Sequence, residues 1–337
     1  MRIFTDRRAV GAAKKIIAGA LLTLAALSLA GQARAADKVR LQLMWVHQAQ
    51  FAGLYMAQDH GLYRQAGLDV EFLSGGPGLD PLARLGEDRC DFAVAWLSAA
   101  MAWRDRGLPV VNLAQIVQQS SVILVARAGF GVKKIADLNG RLVGLWGAYL
   151  SLAPRALLKK HGVQADETLQ GSTVALLTSG AAAAVSAMRY NEYHALYQAG
   201  VDFDEMIVFD ANEAGLSFPE DGLYCLASTW RDKPDVCRRF TQASLAGWRL
   251  AFERPEEALR AVMARVEAQK QATNQSHQQW MLTAMRKLIE PAGGPKNMGR
   301  LDPEAFQQTG RSLREQGLLE RGVSWESFAI PAWRTDQ

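Results

Sequence analysis

Residues 45–50, Trp-Val-His-Gln-Ala-Gln, put one aromatic face and three hydrogen-bonding side chains into six positions. Trp45 can stack on a flat ring, while His47, Gln48 and Gln50 can meet the ring's edge with donors and acceptors. Concave small-molecule sites offer this combination of apolar faces and a few polar groups. Tyr55 follows one helical turn later and is placed either to join the site or to pack inward. Gly75, Gly76 and Pro77, in Ser-Gly-Gly-Pro-Gly at 74–78, allow backbone N–H groups to come close to a ligand, because glycine accepts dihedrals that side chains forbid. Trp96 and Ser98 in Ala-Trp-Leu-Ser, and Trp146 and Tyr149 in Gly-Leu-Trp-Gly-Ala-Tyr-Leu-Ser, repeat the pattern of an aromatic beside a polar group.

Other chemistries are poorly provided for. The three cysteines, Cys90, Cys225 and Cys237, form no Cys-x-x-Cys pair and no paired-histidine motif accompanies them, so no metal is expected. Buried thiols are the plainer reading, with a Cys225–Cys237 disulfide as the alternative. The glycine-rich loop lacks the Gly-x-x-x-x-Gly-Lys-Ser/Thr pattern of a nucleotide-binding loop.

The elements that must position these residues can be read from periodicity. Val39–Met44 alternates as a strand, Phe51–Gln58 has helical spacing that ends at Gly61, and residues 68–73, 91–97 and 109–116 read as further strands separated by helices. That alternation implies a parallel sheet covered by helices, with its ligand crevice at one edge of strand ends. The pattern restarts at 120–127 and runs to 205–210 as a second α/β unit, and Gln118 falls at the junction. From Lys233 onward apolar residues recur three and four apart, which predicts a helical C-terminal region.

Residues 1–36 read as a secretory signal: a basic head, the apolar run 16–31, and Ala-Arg-Ala at 33–35 before the expected cut. The run is shorter than the roughly 20 residues needed to span a bilayer. The first 35 residues hold six of the 38 Lys and Arg and one of the 34 Asp and Glu, which leaves 32 basic against 33 acidic. The apparent basicity therefore belongs to the leader, and nucleic acid is not an expected partner.

Taken in order, the segments Trp45–Phe72, Cys90–Ala99, Leu138–Gly147, Ala187–Leu196, Arg239–Leu259 and Ser276–Ile289 resemble the periplasmic solute-binding proteins of ABC importers. The branch they resemble is the one related to thiamine-pyrimidine synthase. The resemblance implies a two-lobe periplasmic-binding-protein fold (type II, α/β) with a ligand cleft between the lobes and a helical C-terminal region. Lobe one is expected at 37–124 plus 229–337, and lobe two at 125–228. It also implies a monomer in the periplasm that delivers its ligand to an ABC importer permease, with no cofactor and no catalytic residue.

Within the branch, Gln-x-Gln-Phe-Ala-Gly at 48–53, the Gly-Gly-Pro loop and Tyr190-Asn191-Glu192 are similar to binders of formylaminopyrimidine or hydroxymethylpyrimidine, with riboflavin binders close behind. Glu192 is read as a cleft-edge carboxylate that accepts from a ring amine, with Asn191 and Tyr190 beside it. His277 and Gln278 are read as structural. The alternatives are a riboflavin or alkylsulfonate binder of the same fold, or the branch's pyridoxal-phosphate-dependent pyrimidine synthase. For the synthase, the alignment puts Ala95 where the Schiff-base lysine should stand and Ala99 where its consumed histidine should stand, and a Schiff base needs an amine.

Overall fold

A computed structural model describes residues 35–290 and 297–332 of the 337-residue chain. Residues 1–34 of the expected leader lie outside the described residues. The first sheet receives β1 (Asp37–Gln42), β2 (Leu68–Leu73), β3 (Phe92–Trp96) and β4 (Val110–Gln115). The chain then crosses to a second sheet made of β5 (Val122–Arg127), β6 (Leu142–Leu145), β7 (Asp166–Leu169), β8 (Ala184–Met188) and β9 (Met206–Asp210). It returns to the first sheet as β10 (Asp221–Leu226). The strand orders are β2-β1-β3-β10-β4 and β7-β6-β8-β5-β9. The result is a two-lobe α/β architecture.

Wholly parallel sheets are not found. β1, β2 and β3 run parallel, as do β6, β7 and β8, but β10 is antiparallel to β3 and β4, and β5 is antiparallel to β8 and β9. The reason is directional. A strand that enters a lobe straight from a crossing starts at the edge between the lobes, whereas the helix-connected strands end there. The same fact corrects the expected lobe boundaries: residue 125 falls inside β5, and β10, expected in lobe two, lies inside the first sheet.

The two crossing segments, 116–121 and 211–220, are bonded to each other. Ile116 and Val117 donate backbone N–H bonds to the Asp221 carbonyl, and Glu220 N–H donates to Val117. The Glu220 carboxylate accepts from Ser120 Oγ at 3.0 Å, Ser121 N at 2.6 Å and Ser121 Oγ at 2.6 Å. Burial raises the Glu220 pKa to about 8 despite these donors, and that of Asp221 to about 7. Both native values exceed the unfolded carboxyl values near 4. Between about pH 4 and 8 the native state therefore holds protons that the unfolded chain has released, and stability falls as pH rises through that window. Urea unfolding should show this decline from pH 5 to 8, and Glu220→Gln should flatten it. An unchanged slope in the variant would mean that Glu220 is ionised throughout.

The core of the first lobe is aromatic and tightly approached. Phe92 on β3 stacks on Phe240 at 4.2 Å, and Tyr63 stacks on the same ring at 5.8 Å. Helices Ala52–Asp59 and Pro234–Glu253 meet through Gly53 and Gly247. Helix Gln275–Ile289 also belongs to this lobe: its Met281, Leu282, Met285 and Leu288 share a cluster with Leu41 and Phe51. All three cysteines are buried free thiols.

Candidate functional site

A cavity of about 350 Å³ lies between the lobes, and every residue of its wall lies at or after the C-terminal end of a parallel strand. Met44, Trp45, Gln48 and Gln50 come after β1, and Pro77 and Gly78 after β2. From the other lobe come Trp146, Gly147 and Leu150 after β6, Gln170, Gly171 and Ser172 after β7, Met188 at the end of β8, and Tyr190, Asn191 and Glu192 after it. This is the crevice that open α/β sheets reserve for ligands. Trp45 and Trp146 reach it from opposite lobes. The Trp146 indole is fixed by donating to the Gly171 carbonyl at 3.1 Å, and its own carbonyl accepts from the Ser151 hydroxyl.

The amides of the wall have a defined polarity. Asp221 Oδ2 accepts from Gln50 Nε2 at 2.7 Å, and Gln50 Oε1 then accepts from Gln48 Nε2 at 2.6 Å. With Asp221 Oδ2 accepting at the start of the chain, each amide is fixed in turn and Gln48 Oε1 is left as the outermost acceptor. Gln170 is committed in a different way: it donates to the Ser186 carbonyl at 2.8 Å and accepts from Ser186 N at 3.0 Å.

Glu192 is more deeply held than a cleft-edge carboxylate. It is buried at the first turn of helix Glu192–Gln198, accepts from Met188 N at 3.0 Å and from Asn191 Nδ2 at 2.8 Å, and has its pKa raised by burial. Among the described residues it is the only Asp or Glu in the wall, and no Arg, Lys or His joins it there. Tyr190 is buried beside it, and burial raises its pKa well above the ordinary value.

Eight of the sixteen expected residues form the wall: Trp45, Gln48, Gln50, Pro77, Trp146, Tyr190, Asn191 and Glu192. The other eight sit behind or beside it for identifiable reasons. His47 and Tyr55 satisfy each other, Nδ1 to Oη at 2.7 Å, and Arg265 covers the Tyr55 ring at 4.4 Å. Gly75 is a packing glycine: a Cβ there would lie 2.5 Å from the Leu43 carbonyl oxygen. Gly76 takes a φ of +152° that carries the loop on to Pro77. Trp96 and Ser98 are shut out because β10 begins against the end of β3, with Asp221 paired to Trp96 and Leu97 N–H donating to Glu220. Gln118 donates back to the Gln115 carbonyl at 2.7 Å. Tyr149 is half-buried and its neighbour Leu150 takes the wall position.

Residues 170–172 were missed because β7, Asp-Glu-Thr-Leu, is short and mostly exposed, so no apolar run announces it. Met44 and Met188 carry no chemical signal at all. The rule that ligands sit beyond parallel strand ends would have found all three groups, given the strands.

Comparison with known proteins agrees with the two-lobe α/β fold. The formylaminopyrimidine-binding protein of Halalkalibacterium halodurans is 25% identical over 314 residues, which cover 86% of this chain and 88% of that protein. The riboflavin-binding protein RibY of Chloroflexus aurantiacus is 24% identical, covering 85% of this chain and 83% of its own. Among solved structures, the periplasmic aliphatic sulphonate binding protein SsuA of Escherichia coli shares the fold. Its TM-score is 0.70 at 14% identity, over 89% of this chain and 93% of that one. Residues 48–258 match the family described as NMT1/THI5 like, so the chain belongs to the NMT1/THI5-like family.

Proposed function

We propose that this chain is an exported solute-binding protein that captures a small, flat, heteroaromatic molecule of the thiamine-precursor pyrimidine type between its lobes and delivers it to an ABC importer. It works in the periplasm as a monomer and returns its ligand unchanged. The observation that carries the reading is the wall itself, with a tryptophan from each lobe, a string of amides, one buried carboxyl and no basic side chain. Two indoles can sandwich a ring, and Gln48 Oε1 and the Glu192 carboxyl can accept from its amine.

The wall also weighs against the alternatives. An alkylsulfonate would meet Glu192 with no cation to compensate its charge. The cavity lies near the small end of the roughly 300–1,000 Å³ typical of ligand sites, which favours a one-ring ligand over a flavin. Against the synthase, Ala95 and Ala99 are both buried and neither carries an amine or imidazole.

Calorimetric titration with hydroxymethylpyrimidine, formylaminopyrimidine, riboflavin and an alkylsulfonate tests the reading, with saturable one-to-one binding expected for a pyrimidine. Tightest binding of the sulfonate would overturn it. Asp221→Asn should weaken an amine-bearing pyrimidine about tenfold, the worth of one hydrogen bond, because an amide at 221 can donate to Gln50 and reverse the Gln50–Gln48 chain. Unchanged affinity would show that the chain does not orient the ligand's amine.

A further inference from the structure

Behind the cavity wall the lobes touch through two imidazoles. His194, on helix Glu192–Gln198 of the second lobe, and His277, on helix Gln275–Ile289 of the first, are both buried and approach Nδ1 to Nδ1 at 2.8 Å. The other nitrogen of His277, Nε2, lies 2.9 Å from Asn191 Oδ1. His194 also stacks on Trp280 of the first lobe at 4.9 Å, and the Trp280 indole donates to the Arg189 carbonyl of the second.

The proton positions follow from one end. Both Glu192 oxygens accept, Oε2 from Met188 N and Oε1 from Asn191 Nδ2, so Asn191 turns its Oδ1 to His277. His277 must therefore carry its proton on Nε2, which leaves Nδ1 bare to accept from His194 Nδ1–H. The chain Glu192–Asn191–His277–His194 starts in the second lobe, passes through one residue of the first and ends in the second. Two of its members, Asn191 and Glu192, line the cavity.

We propose that His277 is a positioning residue and latch. As a neutral Nε2–H tautomer it clamps the second lobe's ligand-facing Asn191 to the first lobe, and protonation of both imidazoles of the pair releases the clamp and opens the cleft. The ligand part of this inference rests on the binding function proposed above, while the latch itself does not. After a single protonation His194 can move its own proton to Nε2 and accept from His277, but with both rings protonated two N–H groups face each other at 2.8 Å and no rotation that keeps the Asn191 bond relieves the conflict.

The groups facing the pair leave the switch to these rings. Helix Glu192–Gln198 contributes Tyr197, stacked on His194 at 6.0 Å, and Glu192, which reaches His277 through Asn191. Helix Gln275–Ile289 contributes Trp280, and beyond it lie Tyr193 and Phe203. The Arg189 guanidinium is turned to Asp210 and Glu213. Among the described residues neither histidine forms an ion pair. Burial and the mutual proximity of the rings hold His277 down to about 4, and burial lowers His194 as well. A histidine depressed in the closed form favours closure fully above its open-form value near 6.5 and loses it as pH falls from there towards 4.

Two measurements decide the matter. Imidazole ¹⁵N spectra at pH 7.5 should show His277 protonated on Nε2 and His194 on Nδ1, and the opposite tautomer at His277 would overturn the chain. Small-angle scattering should show the protein closed at pH 7.5 and opening by pH 5. His277→Phe should be open at both values. His277→Gln, which keeps a donor and an acceptor but does not titrate, should stay closed at both. Equal scattering for all three proteins across the range would refute the latch. With formylaminopyrimidine as the probe, wild-type affinity should fall about 30-fold between pH 7.5 and 5, the ratio set by 6.5 and about 4, while His277→Gln should hold its affinity. If formylaminopyrimidine fails to bind at pH 7.5, the proposed ligand class fails, and scattering and tautomers still decide the latch.

Discussion

Gly247→Ala is expected to destabilise the protein by about 3 kcal/mol, near the upper end of overpacking costs. A Cβ at 247 would stand 2.1 Å from the Gly53 carbonyl oxygen and 2.6 Å from the Ala57 Cβ. The obstacle is largely backbone, so no rotamer change removes it, and the helices must separate. Across the same contact a Cβ at Gly53 would meet the Trp248 ring at 2.2 Å. Alanine regains about 1 kcal/mol of helix propensity, which is too little to offset the clash. Helix Ala52–Asp59 starts two residues after Gln50, so parting the helices also displaces the amide chain that ends at Gln48. Urea denaturation measures the loss, and Gly129→Ala, with open space around its Cβ and no positive φ, is the neutral control. A Gly247→Ala midpoint equal to wild type would mean that the helices are not packed at this distance.

The second large effect concerns the two indoles. Trp45→Ala and Trp146→Ala should each weaken a bound pyrimidine about 10- to 100-fold, which is about 1.4–2.7 kcal/mol of lost stacking and apolar contact. Phenylalanine at either position should restore most of it. The two single effects should not add, because both rings contact the same ligand and removal of one frees it to shift on the other. Trp146 carries a further duty, since its indole also bonds Gly171 across the wall. Its alanine variant should therefore lower the melting temperature slightly in the absence of ligand, whereas Trp45→Ala should do so less. Strict additivity in a titration of all four proteins would place the rings on separate ligands or away from any.

How much of this was legible in the sequence depends on what kind of signal each part leaves. β2 was readable to the residue, because Leu-Asp-Val-Glu-Phe-Leu alternates and is followed by glycines. The wall segments after β1, β2, β6 and β8 were also readable, since polar and aromatic residues at the end of an apolar strand have few other uses. The assignment of β10 to the first sheet was not, because its partners lie more than 100 residues away and pairing leaves no local trace. Several of the expected residues outside the wall, among them His47, Tyr55, Trp96 and Gln118, share one cause. A side chain's type shows what it can bond, but the partner that has already taken that bond lies elsewhere in the chain, as Tyr55 does for His47 and the entry of β10 does for Trp96. His277 shows the converse: a helical histidine with a plain structural role in sequence becomes one end of the lobe contact only when His194, 83 residues before it, is placed opposite.

The central claim is that the cavity between Trp45 and Trp146 reversibly holds a small heteroaromatic solute without transforming it. It is tested most directly by native mass spectrometry of the purified protein exposed to hydroxymethylpyrimidine, formylaminopyrimidine, riboflavin and an alkylsulfonate together, followed by mass analysis of the released ligand. The expected result is one pyrimidine per chain, recovered chemically unchanged and lost from the Trp45→Ala, Trp146→Ala double variant. Selection of the sulfonate, retention of the pyrimidine by the double variant, or release of an altered molecule would contradict it.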